Sequence, residues 1–316
     1  MNSPDVTETM DWRVRTSQVA NGIRRRVFEH VLENNGGYLS QACSAAEIFA
    51  TLYTRVMNLA ESNAPLIPID IPPQYAGKKV VSFRGAEYNG PISPEYDRFF
   101  LSPGHYALVL YATLVEVGRL SEEGLKKFNK DGSTVEMIGA DHSPGFEVMS
   151  GSLAQALSVA GGVALARKIK KESGKVWVLL SDGEMQEGQT WEAIAALSFY
   201  KIDNLAVYVD VNGHQCDGKM NRVMEVEPLK ARLESFGAIA EAVDGHDVEA
   251  LARPAQYLSQ GKPVFVLAYT NPCQGIPLLE ARKPFLHYVR FKSQEERLSY
   301  EHYFREVFAA KTNERV

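Results

Sequence analysis

Residues 181–212 read SDGEMQEGQTWEAIAALSFYKIDNLAVYVDVN. An apolar run, 176–180, leads into Asp182-Gly183; a helical pattern follows over about 188–200; a second apolar run, 205–211, ends at Asn212. Strand, helix, strand in that order is a right-handed crossover that leaves the two strands parallel. Asp182 and Asn212 then stand at the C-terminal ends of two strands, the edge where open α/β sheets take their ligands. A carboxylate and an amide oxygen, completed by main-chain oxygen and water, are hard ligands suited to Mg²⁺ or Ca²⁺. Mg²⁺ in such a site usually shares its coordination with phosphate oxygens, so a phosphorylated ligand is expected. A glycine turn and an Asn cap on an ordinary nucleotide-fold sheet would use the same residues.

The flanking sequence alternates in the same way. Periodicity predicts strands at 239–243 and 264–269, with a helix over 247–258 between them that the turn VDGHD (243–247) caps. This alternation predicts an α/β fold, a doubly wound parallel sheet with helices on both faces. Upstream, a helix over 11–33 stops at Asn34-Asn35-Gly36-Gly37. A second helix is expected over 44–58, with Ser44 and Glu47 as its capping box. Helices are also expected from near His105, from Ser121 and over 151–171, the last rich in Ala, Gly and Ser. Residues 61–98 are rich in Pro and Gly without helical periodicity, and a loop that long is functional or disordered. Its apolar residues (Ile67, Ile69, Ile71, Val80, Val81, Phe83, Tyr88) argue for ordered packing.

At 316 residues and 45% hydrophobic, the chain can bury a full core. Its net charge of −5, with mixed signs, offers no nucleic-acid or anionic-membrane surface. Arg24-Arg25-Arg26 reads as the solvated face of the first helix, with Ile23 and Val27 as its apolar stripe. Cys43, Cys216 and Cys273 have neither metal-type nor disulfide-type spacing, which fits a reducing compartment. No apolar run approaches the ~20 residues that span a bilayer. The acidic start MNSPDVTETMDW has no secretory apolar region, so a cytoplasmic protein is expected.

Asp-Gly followed some thirty residues later by Asn resembles the thiamine-diphosphate-binding motif, and the wording is closest to transketolase. LSPGHYALVLYA (101–112), PGFEVMSGSLAQALSVAGGVALA (144–166) and GIPLLEARKPFLH (275–287) resemble further segments of that family. The resemblance covers about residues 15–290. It implies that Asp182, Asn212 and the main-chain oxygen of His214 hold the metal against the diphosphate, with Gly183 in the same cofactor loop. It places His105 and His287 at the reacting centre, and Gly151 and Leu153 against the aminopyrimidine. Glu187 corresponds to a residue that links two cofactor sites and faces the partner chain, and Glu192 matches another acidic position.

By the same resemblance, residues 1–291 form a diphosphate-binding domain, 292–316 a helical tail, and 61–98 an insertion near the active site. The counterpart of the family's second half, which carries the glutamate that activates the cofactor, is expected on a C-terminal partner subunit, with two copies of each chain. The implied activity is transfer of a two-carbon ketol unit from a ketose to an aldose. Two family histidines are replaced: Tyr38 stands at one, and the other has no aligned counterpart, with Asp141 and His142 nearby. Ordinary pentose-phosphate specificity is therefore not implied. Another thiamine-diphosphate reaction, of the dehydrogenase α-subunit or deoxyxylulose-phosphate-synthase type, and a non-catalytic regulatory subunit remain open at this point.

Overall fold

The computed structural model describes residues 10–71 and 83–309. In chain order the main elements are α1 (Trp12–Glu33), α2 (Leu39–Thr51), β1 (Arg98–Leu101), α3 (Ala107–Glu116), α4 (Glu122–Leu125), α5 (Gln155–Lys170), β2 (Val176–Ser181), α6 (Gly188–Phe199) and β3 (Leu205–Val211). A small hairpin, β4 (His214–Gln215) with β5 (Gly218–Lys219), follows, then α7 (Met220–Val223), α8 (Leu229–Ser235), β6 (Ile239–Asp244), α9 (Val248–Ala252), β7 (Val264–Tyr269) and α10 (Gln294–Phe304).

Five strands form one parallel sheet in the order β1-β2-β3-β7-β6. The central strands β2 and β3 are buried along their whole length, so their apolar runs show no polar alternation. Alternate side chains still go to opposite faces. Phe99, Trp177, Leu179, Tyr208 and Val266 pack in the core formed with α1, α2 and α3. Phe100, Val178, Leu180, Val207 and Phe265 pack in the core formed with α5, α6 and α8. The doubly wound α/β reading holds, and the crossover β2–α6–β3 lies where the sequence puts it.

Several local expectations are corrected. Ser44 is not a helix cap: α2 already begins at Leu39, and Ser44 and Glu47 lie buried inside it. Their polar groups are used in tertiary bonds instead. The Arg24 guanidinium meets the Glu47 carboxylate, and His246 donates to the same carboxylate from Nδ1 at 3.0 Å while Nε2 accepts from the Asn271 N–H at 2.8 Å. Arg24 is therefore buried, and Arg26 is turned to Glu116 and Glu122. The triple arginine is an anchor of α1, not its solvated face. The small-residue helix starts at Gln155; residues 151–154 form a turn in which Gly151 (φ 97) and Ala154 (φ 70) are left-handed.

The described part of 61–98 packs mainly on the chain around α3 and α4 and on the 139–146 loop. Arg119 donates to the carbonyls of Ala60 and Tyr88, and Lys127 to that of Pro68. Gly85 N–H donates to Asp141 O, and a Cβ at Gly85 would collide with the Ser143 carbonyl. Tyr88 is buried as expected, but Ile67, Ile69 and Ile71 are exposed, and Val80 and Val81 lie outside the described residues. Asp247 caps α9 by accepting from the N–H groups of Glu249 and Ala250, as the VDGHD turn suggests. The rings of Tyr300, Phe304 and Phe308 meet Phe28 of α1 edge-on, 5.3–6.0 Å between centroids. Among the described residues no helix is long and apolar enough to cross a membrane.

Burial alone would raise the Glu47 carboxyl; the hydrogen bond from His246 and the Arg24 charge outweigh it and hold the group below the usual range. Removing one partner of a buried ion pair strands the other, at a cost of about 3–5 kcal/mol. Glu47→Leu should therefore lower the free energy of unfolding by about that much in a denaturant titration. A second expectation concerns His30, whose imidazole burial against Phe128 lowers from 6.5 to about 4. The unfolded chain then protonates first, so stability from this group is present above pH 6.5 and is lost as pH falls toward 4. Melting curves between pH 7 and 5 should show a shallower loss for His30→Gln than for the unmodified chain.

Candidate active site

The C-terminal edge of the sheet borders a cavity of about 260 Å³. Its lining includes His105, Leu153, Asp182, Gly183, Glu187, Asn212, His214 and His287, residues from separate parts of the chain. Of the residues that the resemblance gives a metal, cofactor or catalytic role, Gly151 alone is not in the lining. It stands beside Gly104, and its positive φ and the Ile138 methyl, 2.7 Å from where a Cβ would lie, leave room for glycine alone.

Each side of the cavity has a local cause. Asp182 directly follows β2 and begins a short 3₁₀ turn, Asp182–Gln186. Its carboxylate accepts the Gly213 N–H at 2.7 Å. The Asn212 Oδ1 accepts the His214 N–H at 2.9 Å, which closes the loop between β3 and β4. His105 sits in the turn Gly104–Tyr106 that joins β1 to α3. His287 is brought opposite by long-range bonds: Gly37 and Val289 exchange two backbone bonds of 2.9 Å, Ser40 Oγ donates to Leu286 O at 2.7 Å, and Gln41 Nε2 to His287 O at 3.2 Å.

The two imidazoles are 4.8 Å apart between centroids. The Tyr38 ring is 6.0 Å from His105, 5.4 Å from His287 and 5.0 Å from Tyr288, so it belongs to the same aromatic cluster without lining the cavity itself. His142 is elsewhere, bonded to Glu136 at 2.9 Å. Glu187 is exposed at the rim as the residue before α6, and Glu192 is exposed on that helix.

Burial, and then the neighbouring Asp210 carboxylate, raise Asp182 to about 8, against the opposing effect of N–H groups from Gly213, Gly183 and Asn212. A buried carboxylate beside another carboxylate is the electrostatic setting that a cation relieves. No group of three or more His, Cys, Asp or Glu side chains suited to a metal occurs among the described residues. One carboxylate, one amide oxygen and one main-chain oxygen fit a hard cation whose other positions go to phosphate. Burial, with a small contribution from His287, lowers His105 to about 3, and burial also lowers His287. Both rings are therefore neutral near pH 7, each with one donor and one acceptor nitrogen.

Two buried carboxylates around this cavity, and the donors that meet them, escaped the sequence reading. Asp210, fully enclosed in β3, accepts from Ser44 Oγ and Tyr106 Oη at 2.6 Å each. Glu184, also enclosed, accepts from Ser102 Oγ, from Ala154 N at 2.8 Å and from Ser181 N at 2.9 Å. The available signal was a carboxylate inside an all-apolar strand, VYVDVN, since an unpaired charge there would be prohibitive.

A family model described as "Transketolase, thiamine diphosphate binding domain" matches residues 79–287. The chain is 35% identical to the transketolase family protein y4mO of Sinorhizobium fredii over 282 residues, 86% of this chain and 90% of that protein. It is 31% identical to one subunit of the apulose-4-phosphate transketolase of Actinobacillus succinogenes, over 85% of this chain and 89% of that one. It spans only 38–40% of the human proteins transketolase-like protein 2 and transketolase. A solved transketolase from Campylobacter jejuni shares the fold at TM-score 0.67 and 20% identity, over 95% of this chain and 48% of that chain. With a family model matched over most of the chain and a relative aligned along nearly its whole length, the chain belongs to the transketolase family and carries that family's thiamine diphosphate binding domain.

Proposed function

We propose that the chain is the diphosphate-binding subunit of a thiamine-diphosphate- and Mg²⁺-dependent transketolase that moves a two-carbon ketol unit from a ketose to an aldose. The observation that carries this reading is the convergence of Asp182, Asn212, His105 and His287 on one cavity at the C-terminal edge of the parallel sheet. Asp182, Asn212 and the His214 carbonyl would hold Mg²⁺, or Ca²⁺ in its place. Gly183 and Leu153 would line the cofactor, with Gly151 supporting the turn beside it. The bound cofactor supplies the electron sink for breaking and remaking the ketose carbon–carbon bond.

His105 and His287 would meet the substrate hydroxyls and the diphosphate end. With its depressed basicity, His105 serves better as a neutral hydrogen-bond donor than as a proton acceptor. Tyr38, in the same cluster, offers one hydroxyl where an imidazole would offer a titratable pair, so it would position substrate without moving protons. This supports a sugar other than the common pentose phosphates; the relative from Actinobacillus succinogenes takes its name from apulose 4-phosphate.

The activating glutamate would come from a C-terminal transketolase subunit, with two copies of each chain related by a two-fold axis. Two observations favour such a partner. The chain aligns with nearly all of a relative that is itself named as one subunit of a transketolase. Exposed apolar side chains also cluster near the cavity: Phe285 and Tyr288 beside His287, Met149 and Ile138 beside Gly151, and Met224, whose carbonyl bonds Gln186 of the lining. Apolar surface of this kind marks interfaces. Glu187 at the rim would face the partner, and so would the exposed side of α5 around Ser158 and Gly162, which borders an apolar groove with α6.

The purified chain should be silent with ketose donors. Mixing it with its C-terminal subunit should give a heterotetramer by light scattering and switch on ketol transfer; full turnover with no second protein in the mass spectrum contradicts the proposal. In the assembled enzyme, Asp182→Asn should weaken calorimetric affinity for both Mg²⁺ and cofactor by at least ~10-fold, the order lost even when a group behind a metal ligand is removed.

A further inference from the structure

The Asn212 amide is held from behind. Its Nδ2 lies 3.3 Å from Tyr106 Oη and 3.3 Å from Asp210 Oδ2. Tyr106 Oη itself lies 2.6 Å from the same Asp210 oxygen, and Ser44 Oγ also lies 2.6 Å from it. The other carboxylate oxygen takes the hydroxyl of Thr270. The phenol hydrogen of Tyr106 is committed to that carboxylate oxygen, so the phenol oxygen turns a lone pair outward. Both neighbours of the Asn212 side chain on that side are then acceptors. Only the NH₂ end of the amide satisfies them; a reversed amide would set its oxygen against two oxygens. The neighbours' chemistry therefore fixes the amide orientation. Oδ1 is thereby turned the other way, where it accepts the His214 N–H at 2.9 Å.

Resting on the metal role proposed above for Asn212, we infer that Asp210 and Tyr106 are positioning residues that fix the Asn212 oxygen for the cation. The same bond carries a second consequence. Tyr106 is the last residue of the turn holding His105, and the two rings are 4.8 Å apart. One carboxylate therefore sets the metal-side amide and the turn of the substrate-side histidine at once. Ser44 of α2 and Thr270 after β7 complete its shell, so four segments meet at a group that does not line the cavity. Buried carboxylates need all such donors, and a half-satisfied network costs more than none.

The test is Mg²⁺ titration by calorimetry, in the presence of thiamine diphosphate, on the full chain with its partner subunit. Asp210→Asn is the direct variant; Tyr106→Phe keeps the test available where the buried carboxylate is required for folding. Tyr208→Phe is the control. It removes another buried phenol, on the same strand as Asp210, whose hydroxyl donates to Leu251 O at 2.9 Å away from the cavity. Tyr106→Phe should lower Mg²⁺ affinity about 10–100-fold, as loss of a group behind a metal ligand does. Tyr208→Phe should lower the melting temperature comparably and leave the affinity unchanged. Wild-type affinity in Tyr106→Phe, or equal losses in both phenol variants in step with melting temperature, overturns the inference while the metal assignment stands. Failure of the unmodified enzyme to take up Mg²⁺ with thiamine diphosphate removes the metal assignment, and this inference with it.

Discussion

A carboxylate enclosed in the middle of a parallel sheet must be met by donors from every direction, and Asp210 is where this molecule satisfies that demand. Ser44, Tyr106, Asn212 and Thr270 come from four places in the chain, and a shift of any of them takes a donor from a buried carboxyl group. Glu184 imposes a matching constraint on the other side of the cavity. It joins the end of β1 through Ser102, the end of β2 through Ser181, and the turn before α5 through Ala154. Ala154 is left-handed without being glycine, a conformation that costs energy and persists where its surroundings dictate it. The bond from its N–H to Glu184 is such a surrounding. Between them the two carboxylates turn loose strand ends into one rigid cavity wall.

The layout of the sheet was legible because apolar runs, helix periods and turn residues agree along 176–269. The strands at 205–211 and 264–269 have the bounds that the sequence suggests. Asp182, Asn212, His105 and His287 were legible as site candidates from their motifs, and the fold brings all four to one cavity. The errors share a physical origin. Ser44 and Glu47 have the spacing of a capping box, yet local spacing cannot show that a helix starts five residues earlier and that both side chains point inward. Arg24 looked solvated because its partners, Glu47 and through it His246, are distant in sequence. The role of Asp210 is hidden for the same reason: three of its four donors, Ser44, Tyr106 and Thr270, are gathered only by the fold. Ile67, Ile69 and Ile71 alternate like a buried strand but remain exposed.

On the proposed reading the cavity has a metal side, formed at the sheet edge by Asp182 and Asn212, and a substrate side, formed by packing between distant segments. The first depends on the Gly213 N–H that reaches across from the loop after β3 to Asp182, and on the local bond from the His214 N–H to Asn212. The second depends on the 37–41 segment gripping 286–289, which places His287, Tyr38 and Tyr288 against one another. If that proposal holds, a change of sugar can be accommodated by rewriting the second without touching the first. Apolar residues exposed near the opening fit a cavity that is completed by another polypeptide, which is how we read the chain's near-complete overlap with a relative named as one part of a divided enzyme.

The central claim is that Asp182 and Asn212 hold the cation of a thiamine-diphosphate site in an enzyme of two kinds of chain. The most direct measurement is anomalous diffraction from crystals of the chain with its partner, thiamine diphosphate and Mn²⁺ in place of Mg²⁺. The account predicts a single strong peak per copy of this chain, bounded by the Asp182 carboxylate, Asn212 Oδ1 and the loop at His214, with the diphosphate on its open side. Cofactor bound in the cavity with no peak there, or a peak held by other residues, would contradict it.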